Sequence, residues 1–573
     1  MNADIIADYL ESKGYAAYPR EYDSSPCVEV KVDASGIGFR LLHYPQSEYS
    51  ELPRFYLKNA DRLPQLAHVD LFPGSSLGMV CVGDQESVSV NYERPELAIE
   101  YSLGRHIELI EKALHDSDWN KYELLREFYS HWSNLCGSES INFICAAIAD
   151  RFDEMDVVRP PSGSKPGFKE PYIGVAKGVT GLAEYSYIAR GKENRKRSLA
   201  GPGIVVPIDN LSPPPSSIEN LKEWYLNTIN SLRAEVKEQL KNKIAPKKAK
   251  EFWIIFNGNT PSGRTWFGLQ IKLKKKSAFP LKPFALDQCK LTPVKVDSFN
   301  KERLMPRSGA DPSLSQKSVL LIGCGSVGGE IAHKLGGAGV GRLLLSDPDT
   351  YSIDNIYRHV LTENVIGWPK AEALGFQLQF KFPWIQADSS KEKLLELRDQ
   401  KLLERQDLII IAIGSPTHER IFHDYLETKK VNVAVINTWV EGYGLGGHAT
   451  LDIPSAKGCL RCAYFDQDSL GSGLASNLNF FETNQNLTTS HAGCGDLYLP
   501  YSNISSTQTA VIAADLAIKF LNGRLTESSK ISWKGDSHDA LANGFKLTHR
   551  YENFDKAMEV LPLYDENCDR CNE

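Results

Sequence analysis

The chain has 573 residues, 42% of them hydrophobic and 24% charged, and carries a net charge of −7. That length exceeds what one hydrophobic core sustains, so two to four globular domains are expected. The charge excludes a global attraction to nucleic acid or membrane, and the opening "MNADIIADYLESKGY" has neither a basic n-region nor an apolar h-region, leaving a cytoplasmic location as the default expectation.

Residues 1–155 read as an α+β domain. A short amphipathic helix presents Ile5, Ile6, Tyr9 and Leu10 on one side, and alternating strands follow in "CVEVKVD" and "GIGFRLLHY". Past an irregular loop, "PELAIEYSLGRHIELIEKALHD" and "DWNKYELLREFYSHWSNL" carry apolar residues at helical spacing. Residues 156–300 change texture, with proline-rich "RPPSGSKPG" and "SPPPSS", a lysine-rich helix "AEVKEQLKNKIAPKKAKEF" and a hairpin "FWIIFNGNTPSGRTWFGLQIKLKKK". No catalytic constellation stands there, so the segment reads as an α+β linking or partner-docking domain whose lysines are a solvated face or a contact for an acidic partner. In residues 301–573 apolar strands alternate with helices, the pattern of a mostly parallel α/β sheet. The longest apolar run of this part, residues 408–413, is too short to cross a bilayer.

The α/β segment opens with "LLIGCGSVGGEIA", in which Gly323, Gly325 and Gly328 follow a strand and begin a helix. Glycines so placed permit a tight turn and let backbone N–H groups and a helix N-terminus approach phosphates. Asp347 ends the next strand, nineteen residues beyond Gly328, where a carboxylate can hold a ribose. Together they indicate an adenine nucleotide without separating ATP from NAD. Asn355, Arg358 and Lys370 follow in "DNIYRHVLTENVIGWPK" and favour a triphosphate, because charge on an α-phosphate and a departing pyrophosphate needs fixed cations and hydride transfer does not.

Eleven cysteines, some in CxxC pairs, suggest reduced thiols serving metal or chemistry and not a disulfide framework. Cys459 with Cys462, and Cys568 with Cys571, can each bite one metal, and four thiolates favour a closed, structural tetrahedral Zn²⁺ site. Cys27, Cys136, Cys145 and Cys289 read as packing residues and Cys324 as a filler beneath the nucleotide.

The run GxGxxG, D-x-D, N-x-x-R and a lysine before a helix resembles the superfamily of ubiquitin-activating, molybdopterin-synthase-activating and thiamine-sulfur-carrier-activating enzymes across residues 303–573. The resemblance implies a Rossmann-like adenylation domain in which Asp347 holds the ribose and Asn355, Arg358 and Lys370 handle phosphates. It also implies a two-fold homodimer in which Arg303 or Arg307 reaches the neighbouring site. Ser415 stands near the place of the family's magnesium-placing aspartate, so another carboxylate, Asp349, is the candidate for Mg²⁺. The same resemblance puts a thioester-forming cysteine at Cys494 in "TTSHAGCGDLYLPYSN", with His491 near it in sequence. In the first domain, "LPRFYLKN" followed by "LAHVDLFPGSSLGMVCVGD" resembles ubiquitin-conjugating enzymes, which makes Cys81 a second acyl acceptor. Their His-Pro-Asn is absent, since His68 is followed by Val69 and Asp70, and the oxyanion-stabilising group is unassigned.

The whole order of conjugating-like, linking and activating domains resembles the fused enzymes of the CBASS antiphage system. That implies adenylation of the C-terminus of a CD-NTase cyclic-nucleotide synthase, transfer to Cys494 and then Cys81, and delivery to a target lysine. The rival readings are a sulfur-carrier or ubiquitin-like-modifier activator with a non-catalytic N-terminal binding module, and an NAD-dependent oxidoreductase, which leaves Asn355, Arg358, Lys370 and Cys494 without work.

Overall fold

Asn2 starts the first helix, α1 (Ala3–Ser12), by accepting the N–H of Ile5 at 3.0 Å. Its buried face is Ala3, Ile6, Ala7 and Leu10, the i, i+3, i+4, i+7 stripe, so Ile5 turns outward and is 53% exposed where the sequence pattern placed it inside. This is a computed structural model. It describes the chain except residues 35–36, 73, 84–88, 138–139, 161–169, 180–198, 455, 465–475, 491–496, 556–559, 567, 569–570 and 572–573. The chain divides into two compact units, Met1–Asn300 and Lys301–Glu573.

The first unit begins with an antiparallel six-stranded sheet made of β1 (Ala16–Tyr22), β2 (Ser25–Ala34), β3 (Ile37–His43), β4 (Tyr56–Leu57), β5 (Val69–Leu71) and β6 (Gly78–Val80), ordered β1-β2-β3-β4-β6-β5. Helix α2 (Pro95–His115) packs Ile99, Leu103, Ile110 and Ala113 into the same core as α1. The following helical stretch is broken at Glu127 into α3 (Ser117–Arg126) and α4 (Phe128–Cys136). Helix α4 is glued to the rest of the unit by Trp132, fully buried, whose indole N–H donates to Val294 O at 3.1 Å.

That second part is a closed barrel of β7 (Ile141–Ala146), β8 (Asp153–Val158), β9 (Tyr172–Ala176), β10 (Leu199–Ile208), β11 (Ala249–Thr260), β12 (Gly263–Ser277) and β13 (Cys289–Ser298), ordered β10-β11-β12-β13-β7-β9-β8. It draws strands from both sides of residue 155. The lysine-rich stretch is helical only as α5 (Ala234–Gln239) and one π turn to Ile244; Pro246 cannot continue a helix, and Ala249 starts β11. The expected hairpin is β11 against β12, turning at Gly263 with φ +114°. Residues 241–290 hold twelve lysines and arginines against two carboxylates, and Lys272 sits directly across from Lys290.

In the second unit, β14 (Ser318–Ile322), β15 (Arg342–Ser346), β16 (Gln386–Ser390), β17 (Leu408–Ile411) and β18 (Val435–Val440) form a parallel sheet. It continues antiparallel through β19 (Gly446–Asp452), β22 (Ser529–Lys534) and β23 (Leu561–Pro562), while β20 (Thr489–Ser490) and β21 (Leu497–Tyr498) form a separate ribbon. The order is β16-β15-β14-β17-β18-β19-β22-β23. Successive residues of β14 enter opposite cores, Val319 and Leu321 one, Leu320 and Ile322 the other, which is why this strand reads as an unbroken apolar run. The chain runs outward from β14 through β15 to β16 and then crosses back to β17 on the other side of β14, so the order reverses there and opens a crevice at the strand ends. Among the described residues no helix is long and apolar enough to cross a membrane.

Candidate functional site

Three glycines shape the crevice. Gly323 leaves β14 at φ +91°, and an added Cβ would lie 2.6 Å from Ala412 O; at Gly328 it would lie 1.8 Å from Gly323 O, so any side chain would push the helix off the turn. Gly325 caps the helix α6 (Ser326–Ala338) with open space in front of it. The turn is tied to Asp347, at the end of β15. One carboxylate oxygen of Asp347 accepts the Cys324 N–H at 2.6 Å and the other the Asp349 N–H at 2.8 Å. Burial pushes the Asp347 carboxyl up from its ordinary value, and these N–H donors and Lys370 pull it back only in part.

The crevice is about 850 Å³, within the range of small-molecule sites, and Gly323, Gly325, Asp347, Asp349 and Lys370 all line it. Lys370 begins α7 (Lys370–Lys381) and donates to the Asp349 carboxylate at 2.9 Å. Asp349 is 65% exposed, and an accessible carboxylate on the crevice is the kind of group Mg²⁺ takes, one or two at a time, together with substrate oxygens. Ser415 lines the crevice too, its N–H donating to Glu419 Oε1 at 3.0 Å.

Asn355 and Arg358 do not line the crevice. Asn355 Oδ1 accepts from Ser352, and the Arg358 guanidinium lies 5.0 Å from the ring of Tyr501, whose hydroxyl is 2.8 Å from Ser326 Oγ. Arg303 and Arg307 sit on the short helix Lys301–Arg307, also outside the lining. Three residues of the second unit were missed by sequence reasoning. Lys393 is a second cation in the lining, following β16 just as Asp349 follows β15, and that shared position after a parallel strand is its only signal. Tyr501 is the second. His359 is the third: it receives the Leu361 N–H on Nδ1 and faces Cys324 O at 2.7 Å with Nε2, a neutral tautomer that fits the burial lowering its pKa.

The four paired cysteines meet. Their sulfurs lie 3.6–3.9 Å apart in the pairs 459–462, 459–568, 462–571 and 459–571. A disulfide would need about 2 Å, whereas the edge of a tetrahedron of thiolates about 2.3 Å from Zn²⁺ is about 3.8 Å. The sulfurs therefore fit zinc. Their mutual contact pushes the Cys459 thiol up and holds the Cys462 thiol low.

Residues 303–569 match the model of the ThiF family. The second unit carries a ThiF-family domain. The chain is 25% identical over 273 residues to the ATP-dependent ubiquitin transferase-like protein Cap2 of Escherichia coli, covering 47% of this chain and 42% of that one. It is 25% identical over 336 residues to the protein of the same name from Pseudomonas aeruginosa, covering 55% and 56%. The chain thus spans about half the length of the curated relatives it matches. Among solved structures it resembles E. coli MccB with ATP at 16% identity and a TM-score of 0.32, over 45% of this chain and 67% of that one.

Cys494 and His491 of the ThiF domain lie outside the described residues. In the first unit Cys81 directly follows β6, is exposed, and donates its N–H to His68 O at 2.8 Å. His68 has φ +62°, and its ring is turned toward α3 and α4, with Nε2 3.1 Å from Glu123 and Nδ1 2.9 Å from Glu127. Both ring nitrogens are occupied, so this histidine has no N–H to offer an oxyanion at Cys81. Arg105, on α2, which sequence reasoning also missed, donates to the carbonyl of Val82, the residue after Cys81, at 2.6 Å. Cys27 and Cys145 are fully buried and Cys136 and Cys289 half-buried, and burial pushes all four thiols up.

Two outcomes are expected. The double substitution Cys568→Ser with Cys571→Ser removes one zinc per chain by elemental mass spectrometry and lowers the melting temperature of the ThiF domain. Burial disfavours the His68 imidazolium, but hydrogen bonds and charge from Glu127 and Glu123 outweigh it and raise its pKa. Its contribution to stability is therefore complete below the unfolded value near 6.5 and is lost as pH rises through the folded one. Denaturant midpoints measured from pH 5.5 to 9 should fall across that window in the wild type and flatten in His68→Gln.

Proposed function

We propose that the chain is an ATP-dependent ubiquitin-like transferase. The observation that carries this is the crevice at the β14 reversal, where a glycine turn bound to Asp347 faces Lys370 and Lys393. Asp347 takes the ribose. Lys370 and Lys393 face the phosphates, with Arg358, released from Tyr501, and Asn355 as further phosphate ligands. Asp349 would hold magnesium, which neutralises phosphate charge. A protein's C-terminal carboxylate attacks the α-phosphorus, forming an acyl adenylate and expelling pyrophosphate. The Cys494 thiolate displaces AMP to give a thioester, Cys81 takes the acyl group by exchange, and a target amine takes it from Cys81 as an amide.

The similarity to the Cap2 proteins supports a ubiquitin-like transfer, and from the fused domain order we infer that the activated partner is a CD-NTase cyclic-nucleotide synthase in antiphage defence. Exposure of Cys81 and the guanidinium beside Val82 favour a transferring N-terminal domain over a mere binding module, with Arg105 as the group that steadies the oxyanion. The lysine-rich end of the barrel would receive an acidic partner surface. Two-fold pairing of ThiF domains is supported by an exposed apolar strip on and beside α7, Ile366, Trp368, Phe376 and Phe380, and Arg303 or Arg307 would then serve the neighbouring site.

Purified protein, ATP and a candidate synthase provide the test. Asp347→Ala and Lys370→Ala should each lower ATP–pyrophosphate exchange by about a hundredfold. Cys494→Ala should keep exchange and lose the reducible adduct, while Cys81→Ala should hold the acyl group on Cys494. Conjugation at normal rate by Cys81→Ala would favour the alternative, an activating enzyme with a non-catalytic N-terminal module. For the assembly, Phe376→Glu should convert a dimer to a monomer in sedimentation velocity.

A further inference from the structure

Behind the wall of the crevice formed by Gly414 and Ser415, buried polar groups run in an unbroken row to the cysteine cluster. Ser415 N–H donates to Glu419 Oε1 at 3.0 Å, and Asn437 Nδ2 donates to Glu419 Oε2 at 2.9 Å. The His423 ring lies 2.8 Å from Asn437 Oδ1 through Nε2 and 3.3 Å from Asp452 Oδ2 through Nδ1. That same Asp452 oxygen accepts, at 3.1 Å, the N–H of Leu460, the residue immediately after Cys459 and two before Cys462. Glu419 and His423 are one turn apart on the helix Pro416–Thr428, Asn437 is on β18 and Asp452 ends β19, so the row crosses three elements. Asn437 is fully buried and Glu419 and His423 nearly so.

A row of this kind is costly to disturb. Its middle members, Glu419, Asn437 and His423, are buried, and shifting one leaves its neighbour unpaired away from water, so the row moves as one body or breaks. Its two ends are the places where the ThiF domain meets small ligands. At one, Ser415 and Glu419 line the crevice; at the other, Leu460 is fixed between two sulfurs of the cluster. A second link runs beside it, since Tyr464, two residues past Cys462, also lines the crevice and its N–H donates to Arg461 O.

We infer that the metal held by Cys459, Cys462, Cys568 and Cys571 sets the position of the Gly414 and Ser415 wall, with Asp452, His423, Asn437 and Glu419 as positioning residues between metal and nucleotide. The cluster then sets nucleotide affinity as well as stability. This rests on reading the crevice as the ATP site. Sequence inspection does not reach it, because the four side chains look like ordinary polar positions until the strands bring them into line.

Full-length protein is loaded with zinc, and ATP affinity with Mg²⁺ is measured by calorimetry alongside metal content and circular dichroism. Chelation to zero zinc should weaken ATP binding at least tenfold. Asn437→Leu should retain its zinc, bind ATP as weakly as the chelated wild type, and lose all further sensitivity to chelation. His423→Gln, which keeps polarity and size, should lie between, and it stands in if Asn437→Leu does not fold. Chelated protein that stays folded and binds ATP as tightly as the zinc form would overturn the inference, as would folded Asn437→Leu or His423→Gln with wild-type affinity and wild-type response to chelation. Zinc-loaded wild type that binds no ATP would instead remove the nucleotide reading itself, and this inference with it.

Discussion

The contact on which the ThiF domain is built is the one between the Asp347 carboxylate and the Cys324 N–H, 2.6 Å long. It pins the glycine turn leaving β14 to the end of β15 and thereby fixes the start of the helix that follows. A carboxylate buried to 6% exposure is expensive, and here the cost is offset by two backbone N–H donors and a nearby lysine. Because one of those donors, the Cys324 N–H, belongs to the turn itself, the acid and the turn hold each other in place. The crevice exists because neither can relax without the other.

The first unit solves a different problem, holding an exposed cysteine at the end of the short strand β6. The strands flanking it, β5 and β6, are three residues each, too short to be rigid by their ladder alone. Rigidity comes from His68, whose carbonyl receives the Cys81 N–H while its ring is clamped by Glu123 and Glu127. Glu123 and Glu127 stand one helical turn apart, so both carboxylates reach the same imidazole. Asp70 and His131, 3.0 Å apart, tie the same strand to α4.

What the sequence made legible was local. The glycine turn and Asp347 lie within one strand–helix–strand unit, where spacing along the chain determines spacing in space. The paired cysteines were legible because CxxC carries its own geometry, and only their meeting across about a hundred residues had to come from folding. The position of the Arg358 guanidinium over the ring of Tyr501 was not legible from spacing, because Tyr501 comes from a distant segment. Ile5 was misassigned because a helix seen alone does not say which of two adjacent apolar positions its neighbours will cover. The barrel was invisible for a related reason: its closure depends on β8 meeting both β9 and β10, and no periodicity within a strand records its partner.

That closure has a consequence for recognition. Among the described residues the barrel sheet is wound into a complete ring with no edge strand, so a visiting peptide finds no place there to pair as an additional strand. Whatever binds this part of the chain must be read by side chains. Where Lys272 faces Lys290 those side chains repel one another, and a visitor of opposite sign would relieve that repulsion as it arrived. Such an encounter is steered from a distance and weakened by added salt, which makes ionic strength, rather than shape alone, the variable that governs it.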